Sequence, residues 1–216
     1  MRLTEPTTTL TDLGLAIGCG LMARRLGRAA APGLPATSGP LLWAGALGAA
    51  AGAAGAGVVA HGAKDVGDGS QAAECWDVSL RLAGASGTLF ALGATVHATD
   101  GMSRAALVLS TLGKGAATQR ALAHDAPFSA AVAAVGADMA LVALLAVDGA
   151  LRREPWAAWT LAGIGVGAVG GAVQHAGWGA DATFNHNDRF HVVQLVSYAL
   201  LAIGGDAMIA DRATAS

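Results

Sequence analysis

Seven stretches of this chain are long and apolar enough to be read as membrane-crossing helices: residues 8–24, 40–61, 77–97, 103–121, 128–149, 156–176 and 189–211. A hydrocarbon core about 30 Å thick takes about 20 mainly apolar residues per helix. Lipid offers no partner to an unpaired backbone N–H or C=O, so runs of this length must pair their backbones internally, as helices. The expected fold is therefore all-α, a polytopic integral membrane protein whose residues 1–216 form a single seven-transmembrane helix bundle. Composition agrees, with 54% hydrophobic and 13% charged residues, against about 25% charged in an average soluble domain. That balance excludes a disordered chain.

Turn residues separate the runs. Pro32, Pro35 and Pro40 with Ser38 and Gly39 break the first connection, and Gly67-Asp68-Gly69-Ser70 breaks the second. Pro127 and Pro155 open the fifth and sixth spans, where a missing N–H costs no helix hydrogen bond. The fourth span is the weakest, since it contains Lys114 and has a short inner connection, and a six-helix alternative stays open. The opening MRLTEPTTTLTDLGLAIGCGLMARRLGR carries acids before its apolar run and arginines after it. A secretory signal has the reverse order, so a retained first helix is expected.

Counting cations in alternate connections gives an orientation. Arg24, Arg25, Arg28, Arg104, Arg152, Arg153 and Arg212 fall on one side, and Arg2, Lys64, Arg120 and Arg189 on the other. The positive-inside rule then places the amino terminus outside and the carboxyl terminus in the cytoplasm of a multi-pass cell-membrane protein. Trp43, Trp76, Trp156, Trp159 and Trp178 all fall at span ends, the pattern of an interfacial belt. No basic stripe with interleaved aromatics is present, so no nucleic-acid partner is expected. Cys19 and Cys75 are too few for a disulfide framework or a thiolate zinc site.

The second and sixth spans contain GALGAAAGAAGAGVVAHG and LAGIGVGAVGGAV. Small residues three and four apart let helix backbones touch, and dispersion supplies the attraction that lipid-exposed apolar surface cannot. These glycines are read as bundle packing. They lie inside apolar spans, not between a strand and a helix, so a phosphate-cradling loop is not expected.

Ionisable groups inside a bilayer cost about 2.5–3.5 kcal/mol each on insertion scales, which makes each a candidate for function. Lys114 and Asp138 fall at similar depth on neighbouring antiparallel helices and are expected to pair, either to fix register or to relay charge. A second group gathers at the outer end. Glu5 and Asp12 open the first helix, His61 ends the second, Asp77 opens the third, Gln174 and His175 close the sixth, and His186, Asn187, Asp188 and His191 open the seventh. Asn187, His191, Gln194 and Tyr198 share one helical stripe, which should face the bundle interior.

Three histidines brought together in this way would suffice for a catalytic zinc with a water in its fourth position. His186, His61 and His191 are the candidate metal ligands, and Asp77 or Asp12 the carboxylate that orients a ligand or takes the water's proton. His186 and His191 point about 140° apart on a regular helix, so both reach one metal only if His186 lies outside the helix. The alternative is that FNHND caps the seventh helix through Asn185 or Asn187.

The motifs EPTTTLTD at 5–12, VVAHG at 58–62 and FNHNDRFHVVQ at 184–194 resemble a bacterial family of seven-helix membrane proteins, and this resemblance covers most of the chain. More remotely, the arrangement is similar to the superfamily of alkaline ceramidases and adiponectin-type receptors. That resemblance implies zinc held by His61, His186 and His191, with Asp77 as their carboxylate partner, and hydrolysis of lipid amides. Gly57 stands where that superfamily has a serine, and its seventh-span histidines are usually separated by three residues where His186 and His191 are separated by four, Asn187 standing where the first would be.

The expected function is a zinc-dependent hydrolase of lipid amide or ester bonds with an outward-facing pocket of His and Asp side chains. Two alternatives stand beside it. One is a non-enzymatic receptor or small-molecule carrier with a metal-free polar pocket, and the other a haem protein with two axial histidines. Membrane lipids and a lipid or small-molecule ligand are the expected partners, and the oligomeric state is left open.

Overall fold

The computed structural model describes residues 5–30, 35, 37–63, 69–124, 126–179 and 183–215, without the side chains of 212–215. Arg2, Pro32, Lys64, Asp65, Gly67, Asp68, Asp125 and Asp181 lie outside the described residues. The elements are α1 (Pro6–Ala30), α2 (Gly39–Gly62), α3 (Ser70–Ala98), α4 (Gly101–Leu122), α5 (Phe128–Leu151), α6 (Pro155–His175) and α7 (His186–Ala215). Among the described residues the fold is all-helical with seven helices and no strand. The fourth run forms a helix of its own, α4, which is not among the helices long and apolar enough to cross a membrane.

Among the described residues, four helices are long and apolar enough to cross a membrane: α2, α5, α6 and residues His186–Asp211 of α7. At 1.5 Å per residue, α1, α3 and α4 have the length as well but carry more polar side chains. The distribution of side chains is that of a membrane bundle. Leu10, Leu13, Ile17 and Leu21 form an outward stripe on α1, while Thr8, Asp12, Ser86, Thr95, Asp138, Thr160 and Ser197 are buried. Large apolar groups are found on the outside as well as in the core, while these polar groups face in, as expected where lipid is the solvent.

Helices α2, α3, α5, α6 and α7 form a ring, each packed on the next, with α2 meeting α7. Its centre is filled by Trp43, Leu47, Phe90, Val142, Trp156 and Leu201, among others. Helix α1 lies in the groove between α2 and α7, and α4 in the groove between α3 and α5. Serine hydroxyls stitch neighbours together by donating to main-chain carbonyls: Ser86 to Ala46 at 2.9 Å, Ser79 to Ala53 at 2.9 Å and Ser197 to Gly163 at 2.7 Å. Such bonds between membrane helices contribute about 0.6 kcal/mol each.

The tryptophan belt is corrected. Trp43 and Trp156 are completely buried. Trp43 Nε1 donates to the Phe90 carbonyl at 2.9 Å, and Trp156 Nε1 donates to Glu154 Oε2 at 2.7 Å. Each indole N–H has a partner close by, and this lets the ring leave the interface for the core. Trp76, Trp159 and Trp178 remain exposed.

The peripheral helix α4 is held by polar contacts more than by apolar burial. Only Thr111, Gly115 and Leu122 of this helix are buried. Lys114 Nζ donates to Asp138 Oδ2 at 2.6 Å and to the Ala134 carbonyl at 3.1 Å, both on α5. Gln119 Nε2 donates to the Arg81 carbonyl of α3 at 2.8 Å. The pair therefore sets the register of α4 on α5. Removing one partner leaves the other buried without countercharge, a loss of about 3 kcal/mol or more for a buried pair and less here because Lys114 is partly exposed. Asp138→Leu is expected to lower stability by about 2–3 kcal/mol in detergent, while Lys114→Met/Asp138→Leu stays near wild type. Thermal or denaturant melts of both variants check this, and equal losses would show that the pair acts only through its apolar stems.

Candidate functional site

At the end of the bundle that carries the start of α1, three helices bring their polar residues together. Helix α7 starts where it does because of a reciprocal cap. Asn185 Oδ1 accepts from the Asn187 N–H at 2.8 Å, and Asp188 Oδ2 accepts from the Asn185 N–H at 2.7 Å. This is a capping box in which asparagine and aspartate play the usual serine and glutamate parts. The capping alternative for FNHND thus describes α7, and His186 is its first helical residue. A position outside the helix was the condition for His186 and His191 to share a ligand, and that condition is not met.

The cap fixes the rotation of α7 so that His191 faces α1 and α2. His191 Nε2 lies 3.4 Å from Asp12 Oδ1, and its Nδ1 lies 3.1 Å from the Thr11 hydroxyl. His61, one residue before the end of α2, approaches the same carboxylate from the other side. Its Nε2 is 3.9 Å from Asp12 Oδ2, and its Nδ1 is 2.7 Å from Glu5 Oε2. The two imidazole rings stand edge to face with centroids 6.4 Å apart. Asp12 is 3% exposed, and its Oδ2 accepts no hydrogen bond.

The hydrogens make this arrangement informative. With the single Thr11 hydroxyl proton given to the Thr8 carbonyl at 3.0 Å, the hydroxyl oxygen is left to accept from His191 Nδ1–H, and the tautomer is assigned on that basis. The Glu5 carboxylate likewise requires the proton on His61 Nδ1. In a neutral imidazole the other nitrogen is then a lone-pair acceptor. Two such nitrogens point at Asp12, whose carboxylate is itself an acceptor when ionised. Added positive charge, on the rings or between them, turns both contacts from repulsive to attractive. Asp188, fully buried, adds a third carboxylate next to Glu5 and Asp12, with Oδ1 3.5 Å from the Thr11 hydroxyl.

The remaining candidates divide. Gln174 donates to Asn187 Oδ1 at 2.6 Å and so ties α6 to the start of α7. Gln194 donates to the Tyr198 hydroxyl at 3.2 Å one turn deeper, and Tyr198 stacks on Phe90 at 6.1 Å. Asp77 is exposed on α3, and among the described residues the carboxylates within 4 Å of the two histidines are those of Glu5 and Asp12. Helix α3 begins at Ser70, one helical stretch before Asp77, and its contribution to the site is Trp76, which meets His61 edge to face at 6.0 Å. The carboxylate partner is therefore Asp12 in place of Asp77. Thr8, Thr11 and Asn185 also take part and were missed as site residues, although EPTTTLTD and FNHND contain them.

The expected ligand set does not close on a metal. Among the described residues no three or more His, Cys, Asp or Glu side chains are grouped so that they could hold one.

Residues 7–210 match the profile of a family of unknown function, DUF6962. The chain belongs to that family. No curated protein and no solved structure matches it. Family membership thus covers nearly the whole seven-helix bundle, and no link to ceramidases or adiponectin-type receptors comes with it.

Gly57 explains how Asp12 comes so near α2. A Cβ at this position would stand 2.7 Å from Asp12 Oδ2. Gly57→Ala is expected to displace the carboxylate and lower stability by about 1–3 kcal/mol. Gly55→Ala, where a Cβ meets nothing within 4 Å, should be neutral or raise stability by up to about 1 kcal/mol. Thermal melts in detergent compare the two, and a Gly57→Ala protein as stable as Gly55→Ala would show that α1 is not seated as described.

Proposed function

We propose that this membrane protein binds a small cation-bearing molecule at the α1/α2/α7 end and works as a receptor or carrier for it, with Asp12 as counter-charge. The observation that supports this reading is the convergence of two imidazole Nε2 atoms on one buried carboxylate, Asp12, whose Oδ2 accepts no hydrogen bond. A buried carboxylate without a partner costs free energy that a bound cation offsets. Glu5 and Thr11 hold the two rings from behind, and Asp188 adds negative charge. An ammonium at Asp12 would donate to Asp12 Oδ2 and to both Nε2 atoms at once.

One observation favours a second reading, a zinc-dependent hydrolase of lipid amides or esters. Each ring has its Nδ1 bound to an oxygen and its Nε2 turned to a common carboxylate, the outer-shell pattern of metal-ligating histidines. His61, His191 and Asp12 would hold the ion, with Glu5 and Thr11 orienting the rings. Zinc would supply Lewis acidity and a water acidic enough to attack a carbonyl. This reading requires the three side chains to draw closer than they stand.

Purified protein in a maltoside detergent separates the two. With ethylammonium chloride at about 100 times its dissociation constant, the wild type should gain about 2.7 kcal/mol of stability. For a chain of this size that is a rise in melting temperature of roughly 5–10 °C. Asp12→Asn should abolish the rise and melt higher than wild type when no ligand is present. One zinc per chain, lost in His61→Ala and in His191→Ala but retained in His186→Ala, would establish the second reading. If ethylammonium and zinc both stabilise Asp12→Asn as much as wild type, both readings fail.

A further inference from the structure

The other end of the bundle holds a cavity of about 360 Å³. Five charged side chains line it: Asp100 and Arg104 at the start of α4, Arg152 and Glu154 at the corner between α5 and α6, and Asp211 near the end of α7. A volume of this order suits a small ligand.

The corner that supplies Arg152 and Glu154 is unusual. Arg153 between them has φ 62°, the left-handed region that glycine normally occupies at the end of a helix. The Glu154 N–H closes the turn by donating to the Gly149 carbonyl at 2.9 Å. A non-glycine residue held there is strained, and such strain gathers at functional positions. It turns the chain within three residues and puts a guanidinium and a carboxylate on the same wall.

Arg104, Arg152 and Glu154 are held without being used up. Arg104 Nε donates to the Thr99 carbonyl at 2.5 Å, which takes one of five guanidinium donors. Arg152 pairs with Asp148 on its own helix and lies 3.8 Å from Glu154 Oε1. Glu154 is fixed by Trp156 and shares the cavity wall with the like-charged Asp211. A simple anion would meet three carboxylates in this cavity, and a simple cation would meet two guanidinium groups. A molecule carrying both signs a few bonds apart satisfies both sets.

We propose that the cavity binds a zwitterion of the phosphoethanolamine kind, its phosphate at Arg104 and Arg152 and its ammonium at Glu154 and Asp211. Arginine forks match phosphate oxygens two at a time. The same headgroup chemistry comes on a membrane lipid or as a free small molecule. Met102 and Leu151, 87% and 80% exposed, flank the lining residues along α4 and α5 and offer apolar surface for acyl chains.

Titration calorimetry of the whole protein in maltoside detergent tests this with dihexanoylphosphatidylethanolamine, dihexanoylphosphatidylglycerol and free phosphoethanolamine. The ethanolamine lipid should bind about ten-fold or more tightly than the glycerol lipid, because each charge-assisted contact is worth at least that factor. Asp211→Asn should weaken the ethanolamine lipid by about the same factor and leave the glycerol lipid unchanged or tighter. Binding of free phosphoethanolamine as well would assign the affinity to the headgroup alone, and binding of the lipid only would show that the chains contribute. Equal binding of the two lipids by wild type, or no binding of either, overturns the proposal without reference to any variant.

Discussion

The distance of closest approach between helix backbones governs this structure. Between α2 and α3, a Cβ on Gly39 would lie 2.8 Å from the Gly93 carbonyl, and one on Gly93 would lie 2.2 Å from Trp43. Only hydrogen fits at either position, and because it does, Trp43 can lie flat in the core and reach the Phe90 carbonyl. Attraction between packed atoms is small per pair and falls steeply with a gap of even half an ångström. In lipid there is no hydrophobic term between helices to compensate for a loose fit. The same closeness brings main-chain carbonyls of α2 within reach of the Ser79 and Ser86 hydroxyls. It also brings Asp12 of α1 against the face of α2 that Gly57 leaves bare.

Buried polarity follows from this packing in two different ways. The Lys114–Asp138 pair carries one charge of each sign, with the Thr88 hydroxyl 3.4 Å from the same carboxylate oxygen. It is balanced, and its effect is to hold α4 in place. The cluster of Glu5, Asp12, Asp188, His61 and His191 has three carboxyls and two imidazoles whose free nitrogens face an acceptor. It is not balanced by its own members. A membrane protein can keep such an arrangement only where the surrounding helices fix it, and the α7 cap, the Gly57 gap and the Glu5 contact all do so.

The seven helices were legible because turn residues separate the apolar runs, and four of them meet the length and apolarity that a bilayer imposes. The inward stripe on α7 was legible for a similar reason, since polar side chains at helical spacing on an apolar helix have one favourable direction. Neighbours were legible only in part: the Lys114–Asp138 pair was, the carboxylate that meets the histidines was not. Asp77 and Asp12 are both acids near the same end, and sequence spacing does not say that α3 turns the first outward while α1 turns the second toward two histidines. His186 was misplaced by a single boundary: a helix starting at residue 186 points it away from His191, and one starting two residues later would have freed it. Trp43 and Trp156 look like interface residues in sequence because they sit near span ends. Whether an indole N–H finds a carbonyl or a carboxylate in the core depends on contacts that only the packed fold supplies.

Helix α1 connects the packing to the cluster, and its two ends are held differently. Toward its end, Leu26 is fully buried against the core, and a Cβ on Gly205 of α7 would stand 2.7 Å from it. Arg25 pairs with Asp206 on the same helix. That end is fixed by shape. At its start, α1 meets α2 and α7 through Glu5, Thr8, Thr11 and Asp12, contacts whose sign depends on how much positive charge the two imidazoles or a ligand supply. Packing resists displacement whatever the charge, whereas an acceptor facing two lone pairs attracts or repels according to it. A change in charge at Asp12 therefore acts on the one end of α1 that packing holds least, with the buried Leu26 end as the fixed point.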